Sequence, residues 1–435
     1  MTARSPHTTS RSPAFSEALS FWWRLGWISF GGTAAHIAIL HDELVIEKQW
    51  ISGEEFLHAL SHCMILPGPE AQQLAIYIGW KLHGKKGGLA AGSLFVLPSM
   101  FVILALSLIY VLLGRLPLVA AMISGLRPGV VALVALALLR VARRTLIAPA
   151  QWLAAVGAFA AMAWFRASIP LVMLVMALLG LLLGRYQPGL LPVAPQNGGE
   201  FRDNSVLPWT KLLSSLLRIA TVGFVLWLTP LLLIYGFGRD FSFWRQLALF
   251  FTQTSFVTIG GSYTVIPYVA HMAVTKYHWL NSAQMIDGFS LAETTPGPLI
   301  IVVAFVGFMA GFNHSHGSTL AATLALAVTT FYTFLPCFIF VFAGAPFVEK
   351  TYGNRGMEGA LRMIAAVVVA AMLNLTLFLI RGALFPPGSF SLTHVDRFAV
   401  IWIAVSFLLL SKFRIGIGRF VALCLLSGLI RWAVW

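Results

Sequence analysis

Charge is what this sequence has least of. Asp, Glu, Lys and Arg make up 10% of its 435 residues, where a soluble chain carries about a quarter. With 59% hydrophobic residues and a mean hydropathy of +0.85, that scarcity excludes an ordinary soluble globule. Acidic residues are fewer than basic ones, 15 against 29, and leave a net charge of +14. In a membrane chain Lys and Arg collect in the cytoplasmic loops, so the basic excess asks for no nucleic acid. Cysteine is almost absent. Cys63, Cys337 and Cys424 each stand alone in an apolar stretch, which leaves neither a disulfide framework nor a zinc ribbon. No nucleotide-binding loop, Gly-rich phosphate motif or catalytic triad is present, so neither ATP-driven work, nor a cofactor, nor an enzyme is expected. A removable leader is not expected either. The stretch after polar residues 1–16 is broken by Glu17 and Arg24 and carries no small-residue cleavage pattern.

What the chain has instead is apolar runs of the length a bilayer needs, as at 88–113, 171–184 and 213–235. The expected fold is an all-α polytopic membrane protein. Residues 15–30, with Trp22, Trp23 and Trp27, read as an anchor helix in which Arg24 snorkels. Gly31-Gly32 ends it, and 34–52 reads as a charged connection. Residues 54–66, behind Ser52 as N-cap, and 70–82 are helical segments of only ~20 Å each. Neither crosses a ~30 Å core alone, so they are one broken span or a re-entrant pair. After a basic loop at 81–86 come spans at 88–113 and 117–139, the cluster Arg140, Arg143 and Arg144, and shorter spans at 150–165 and 169–184. Residues 185–211, rich in Pro, Gly, Asn and charge, mark a boundary. They divide a first unit, 1–184, from an extra span and a second unit in 212–435.

Two Pro-Gly-Pro breaks, Pro67-Gly68-Pro69 and Pro296-Gly297-Pro298, dominate the pattern. Proline lacks the N–H and clashes with the preceding turn, so each break frees backbone groups inside an apolar stretch. In lipid such groups are tolerated only where they are buried in protein or line a wet cavity. The breaks are 229 residues apart, and at that separation Gly31-Gly32 also matches Gly260-Gly261, Trp50 matches Trp279 and Ser61 matches Ser290. Farther on, Phe95-Val96-Leu97-Pro98 resembles Phe334-Leu335-Pro336. The chain is an internal duplication. With a cytoplasmic N-terminus and each broken helix spanning once, 81–86, 140–144 and 185–211 fall inside, and the extra span flips the second half. Its 311–317 loop, which has no Lys or Arg, then falls outside. That predicts two inverted-topology repeats of broken transmembrane helices and about thirteen spans.

The run Phe30-Gly31-Gly32, Trp50-Ile51-Ser52, Leu66-Pro67-Gly68-Pro69-Glu70-Ala71-Gln72-Gln73 and Phe95-Val96-Leu97-Pro98-Ser99 resembles the chromate transporter family, in particular its long two-domain bacterial members. The resemblance covers nearly the whole chain. It implies a multi-pass protein of the bacterial inner membrane that exports chromate, with sulfate as structural analogue, coupled to the proton-motive force. The partners implied are the oxyanion, protons and the lipid bilayer, with a homodimer as the assembly entertained. The halves are not equivalent: Glu70 is matched by Leu299, Gln73 by Val302, Arg24 by Gln253 and Met64 by Glu293.

Chromate and sulfate are tetrahedral dianions, and burying one requires donors and positive potential in place of water. Helix N-termini supply both. The expected binding groups are therefore backbone amides at Gly31, Gly32, Gly260 and Gly261 and around Pro67, Gly68, Pro69, Pro296, Gly297 and Pro298. Side chains of Gln72, Gln73, Tyr77, Thr294 and Thr295 complete the expectation. Arg127, an intramembrane arginine, reads either as counter-charge for the dianion or as a bridge to Glu70 or Glu293. Glu70 and Glu293, the carboxylates beside the breaks, are the proton-coupling residues expected. Two other readings stand beside this one. One is a permease for sulfate or another oxyanion. The other is an intramembrane metal enzyme using His58, His62 and Glu70, with His58 and His62 four apart on one helix face.

Overall fold

The computed structural model describes residues 13–30, 32–64, 66–190, 209–237, 240–258, 262–351, 355–385, 395–413 and 415–434. Gly31, Gly260, Gly261 and most of the expected linker lie outside them. The described residues are helical and contain no strand.

The chain begins with four half-length helices that turn back in pairs. Helix α1 (Phe15–Ile28) is followed by α2 (Gly32–His41), which ends in a π-helical turn at Asp42–Glu47. The stretch expected as a charged connection is thus mostly helix. It folds because it lies back along α1: Phe21 meets Trp50 with ring centroids 5.0 Å apart, Lys48 Nζ lies 3.9 Å from Glu17, and Arg24 pairs with Glu43. Next comes α3 (Gly53–Cys63), opened by a capping box in which Ser52 and Glu55 satisfy each other's backbone N–H. It ends at Cys63, three residues short of the expected end. Helix α4 (Glu70–Leu113) is long, but His83 (φ −137°) and Gly84 (φ +61°) are non-helical and break it. Only glycine takes that backbone without cost.

Those contacts settle the choice left open by sequence. Glu55, at the start of α3, accepts from Lys81, at the end of the first arm of α4, at 2.7 Å. His62 packs on Tyr77 with centroids 5.0 Å apart. So α3 and the first arm of α4 are a re-entrant pair with Pro67-Gly68-Pro69 at its tip. The second arm of α4 folds back on the first, Gln72 reaching the Gly92 carbonyl and Gly79 lying against Gly87. The expected count of about thirteen spans took 15–30 and the broken segment as one crossing each, and returning pairs do not give that count.

Helices α5 (Pro117–Thr145), α6 (Pro149–Ala163), α7 (Ile169–Tyr186) and α8 (Trp209–Phe237) follow. The plan then recurs in α9 (Phe241–Val257), α10 (Ser262–His271) with a π-helical turn at Met272–Lys276, α11 (Ser282–Glu293), and α12 (Val302–His314) after a 3₁₀ turn at Leu299–Ile301. Phe250 meets Trp279 at 5.5 Å, as Phe21 meets Trp50. Even a left-handed residue is duplicated, Gln49 at φ 51° and His278 at φ 50°. The chain closes with α13 (Thr319–Thr351), α14 (Arg355–Leu384), α15 (Arg397–Ser411) and α16 (Ile417–Val434). Seven described helices are long and apolar enough to cross a membrane by themselves. Their outward leucines and phenylalanines, Leu153, Leu171, Phe224 and Leu320 among them, are exposed. In the second set of half-helices every residue from Leu299 to Gly311 is buried.

Candidate functional site

The two Pro-Gly-Pro tips meet each other's repeat in the middle of the bundle. The Gly68 N–H donates to the Thr258 carbonyl at 2.6 Å, and the Gly297 N–H donates to the Ser29 carbonyl at 2.6 Å. Ser29 and Thr258 are themselves 229 residues apart and close α1 and α9. The pair of bonds is reciprocal, as a two-fold axis requires: what residue i does to j, the equivalent of i does to the equivalent of j. The same relation holds for the supporting helices. Gly68 (φ +133°) lies so close to Cys337 on α13 that a Cβ would stand 2.9 Å from Sγ. Gly297 (φ +93°) lies against Ser99 on α4, where a Cβ would stand 2.5 Å from Oγ. Both glycines combine a left-handed backbone with contact to the opposite repeat, a combination that excludes side chains.

Around the tips, helix N-termini gather. Helix α4 starts at Glu70 with Pro69 as N-cap, so the first-turn amides of Glu70, Ala71 and Gln72 have no carbonyl within the helix. Beyond the second break the chain takes the 3₁₀ turn first, and Leu299, Ile300 and Ile301 are buried. Gly32 (φ +78°), at the start of α2, lies beside the Tyr263 hydroxyl at the start of α10. His36 Nε2 sits 3.0 Å from the Ser29 carbonyl, which therefore serves both the imidazole and Gly297.

The structure sorts the expected side chains. Gln72 and Gln73 are fully buried; Gln73 donates to the Pro67 carbonyl at 2.6 Å and Gln72 to Gly92 at 3.4 Å, while both amide oxygens lack a partner. Tyr77 packs on His62 and Trp80. Thr294 and Thr295 each donate to a carbonyl of their own helix, Leu291 and Ala292 at 2.7 Å, so in this state neither hydroxyl proton faces an anion. Glu293 is buried with Oε1 unpartnered, within electrostatic reach of Tyr263. Glu70 heads α4, within reach of Cys63.

Arg127 is engaged, but with neither glutamate. It grips Asp287 of α11 by two nitrogens, Nε at 2.6 Å and Nη2 at 2.9 Å, and the Tyr110 hydroxyl adds a third bond at 3.0 Å. The bridge ties α5 of the first repeat to α11 of the second. The set His58, His62 and Glu70 is not assembled: His62 turns its ring onto Tyr77, and among the described residues no three His, Cys, Asp or Glu are grouped to hold a metal.

Sequence reasoning missed Asp287, Ser29, Thr258 and Ser99. An acid inside an apolar helix was a signal for the first. A hydroxyl residue two positions before each Gly-Gly, 229 residues apart, was one for the next two.

Duplicated half-helices that turn back on themselves, within a bundle of longer apolar helices, define an all-α polytopic membrane protein whose broken helices face one another across a two-fold relation. The chain belongs to the chromate transporter family, whose model matches it twice, at residues 16–181 and 245–432. It is 27% identical over 434 residues to the chromate transport protein of Cupriavidus metallidurans, covering 98% of this chain and 96% of that one. It is 28% identical to a probable chromate transport protein of Synechococcus elongatus, over 97% of each chain. To the chromate transport protein of Pseudomonas aeruginosa it is 30% identical, over 82% of this chain and 79% of the other. No solved structure matches the chain.

Proposed function

We propose that the protein is a secondary active transporter that carries chromate out of the cell across the inner membrane, driven by the proton-motive force. The observation that carries this reading is the reciprocal pair of bonds, Gly68 to Thr258 and Gly297 to Ser29, which holds both tips against the opposite repeat. In the state described, those two amides are capped by carbonyls of the opposite repeat. Separation of the tips frees both at once, and a tetrahedral dianion takes the place of the two carbonyls among first-turn amides and their dipoles. Gln72 and Gln73 follow from the first tip, and Thr294 and Thr295 from the second once their hydroxyls rotate. Glu293, buried and partly unpartnered beside this place, carries the exchanging proton, with Glu70 as second candidate. Arg127 holds the repeats together through Asp287. The two halves, 1–184 and 212–435, are oppositely oriented, with the N-terminus cytoplasmic.

Everted vesicles test the reading. Labelled chromate should accumulate when an acid-inside gradient is imposed, and excess sulfate should compete. Gly297→Ala should lower that uptake on the order of tenfold, through left-handed strain and the clash with Ser99, while Ser99→Gly in the same chain restores part of it. Full uptake by an inserted Gly297→Ala variant would overturn the site, and uptake indifferent to the gradient would overturn the coupling.

A further inference from the structure

The outer end of the second repeat holds a cavity of about 600 Å³ away from the breaks. It follows α9 from Ser242 to Gln253, roughly 16 Å of helix at 1.5 Å per residue, and so leads from the end of the bundle toward the tip. Tyr277, His278 and Trp279 form the facing wall. Arg245 and His278 are its basic groups besides His314. The His314 ring is held, stacked on Phe243 at 4.1 Å with Nε2 3.6 Å from Asp240 at the rim. Among the described residues, no carboxylate lines the cavity and none pairs with Arg245.

The first repeat shows what this surface would otherwise be. There the cations are answered by carboxylates, Lys48 by Glu17, Arg24 by Glu43 and Lys81 by Glu55. In the second repeat Glu17 has become Gln246, Glu43 Met272, Lys48 Tyr277 and Arg24 Gln253. Both carboxylates are gone, and cationic capacity returns at two new positions, Arg245 for Ser16 and His278 for Gln49. The backbone is kept, down to the left-handed residue at 49 and 278. The scaffold is kept, but among the described residues Arg245 has no carboxylate against it, and Asp240 at the rim lies against His314 instead. A planar guanidinium fork and amide N–H groups are what recognises a tetrahedral oxyanion.

We infer that this groove is a second binding site for a tetrahedral oxyanion, with Arg245 as its counter-charge and Gln246, Gln253 and His278 as further donors. Its occupant is either the free dianion or the phosphate of a lipid headgroup, which share that chemistry. Binding here stands on the groove alone. Service as antechamber to the tips rests on the proposed function.

The test measures binding of labelled sulfate to the purified full chain in nanodiscs of zwitterionic lipid. Arg245→Gln should weaken it about tenfold, the loss of one charge-assisted bond. Gln246→Glu, which returns the carboxylate of the first repeat, should do the same, and Arg245→Lys should keep most of the affinity. Replacing part of the lipid by phosphatidylglycerol separates the sources. Competition that vanishes in Arg245→Gln assigns the groove to the headgroup, and sulfate binding indifferent to lipid assigns it to the free anion. Unchanged sulfate and lipid binding in both Arg245→Gln and Gln246→Glu would overturn the inference. Gly297→Ala serves as control, since it should transport about tenfold less and keep Arg245-dependent binding. A Gly297→Ala variant with full transport would sink the break site and leave the groove standing.

Discussion

At the scale of single residues, Arg127 illustrates how a plausible counter-charge becomes a strut. Its guanidinium is already matched by Asp287 through two nitrogens, and the Asp287 side chain is only 5% exposed. Removing one member of such a pair strands the other. Arg127→Gln should therefore destabilise the protein by about 3–5 kcal/mol, read as a fall in detergent-solubilised melting temperature. The double variant Arg127→Gln with Asp287→Asn should recover most of that stability, and its chromate flux with it. A double variant that folds but does not transport would return Arg127 to the role of substrate counter-charge. The carboxylate partner was legible in kind and not in identity. The apolar setting of Arg127 demanded an acid, but which of three acids depended on a contact 160 residues away.

At the scale of elements, the half-helix pairs are the unit that positions the site. A segment of 11 residues such as α3 has too little length to cross and too few internal bonds to stand alone. It is stable here because the first arm of α4 lies against it and the Ser52–Glu55 capping box closes its open end. The arrangement makes a sharp prediction. Were 54–82 one broken span, Glu55 and Lys81 would stand about 39 Å apart. In the re-entrant pair they touch. Cysteines placed at 55 and 81 should be joined by a short bifunctional thiol reagent, and the three native cysteines, all buried, should not interfere. Failure to link accessible cysteines at these positions would contradict the hairpin. The reason the pairing escaped sequence is periodicity. Lengths of about 13 residues fit a broken span and a hairpin equally well, and a salt bridge across the pair has no signature in either strand of the pattern.

For the whole molecule, the two-fold relation between tips is the organising fact. Cross-repeat contacts at Gly68 and Gly297 are the same contact made twice, so whatever moves one tip relative to the other changes both. An axis lying in the membrane plane, with the repeats inverted, accords with the positive charge at 81–86 and its absence at 311–317. Single cysteines at Lys85 and Ser318, both exposed, should react with an impermeant thiol reagent from opposite sides of the membrane, Lys85 from the cytoplasm. Labelling of both from one side would put the axis along the membrane normal. Departures from symmetry carry meaning too. The second repeat has the buried run from Leu299 to Gly311, Glu293 with one oxygen unpartnered and the groove at Arg245, while the first has the ion pairs of Arg24 and Lys48.

Sequence by itself determined the membrane class, the duplication and the location of the breaks. Each of these follows from local chemistry: apolar runs that only lipid can solvate, proline that has no N–H to donate, and a spacing that repeats. Only the tertiary structure decided that the broken segments return instead of crossing, that Asp287 answers Arg127, and that each break is capped by the opposite repeat. Those outcomes depend on which surfaces meet across hundreds of residues. Contacts between distant surfaces are selected by packing and by the need to satisfy every polar group away from water, and neither leaves a periodic trace along the chain.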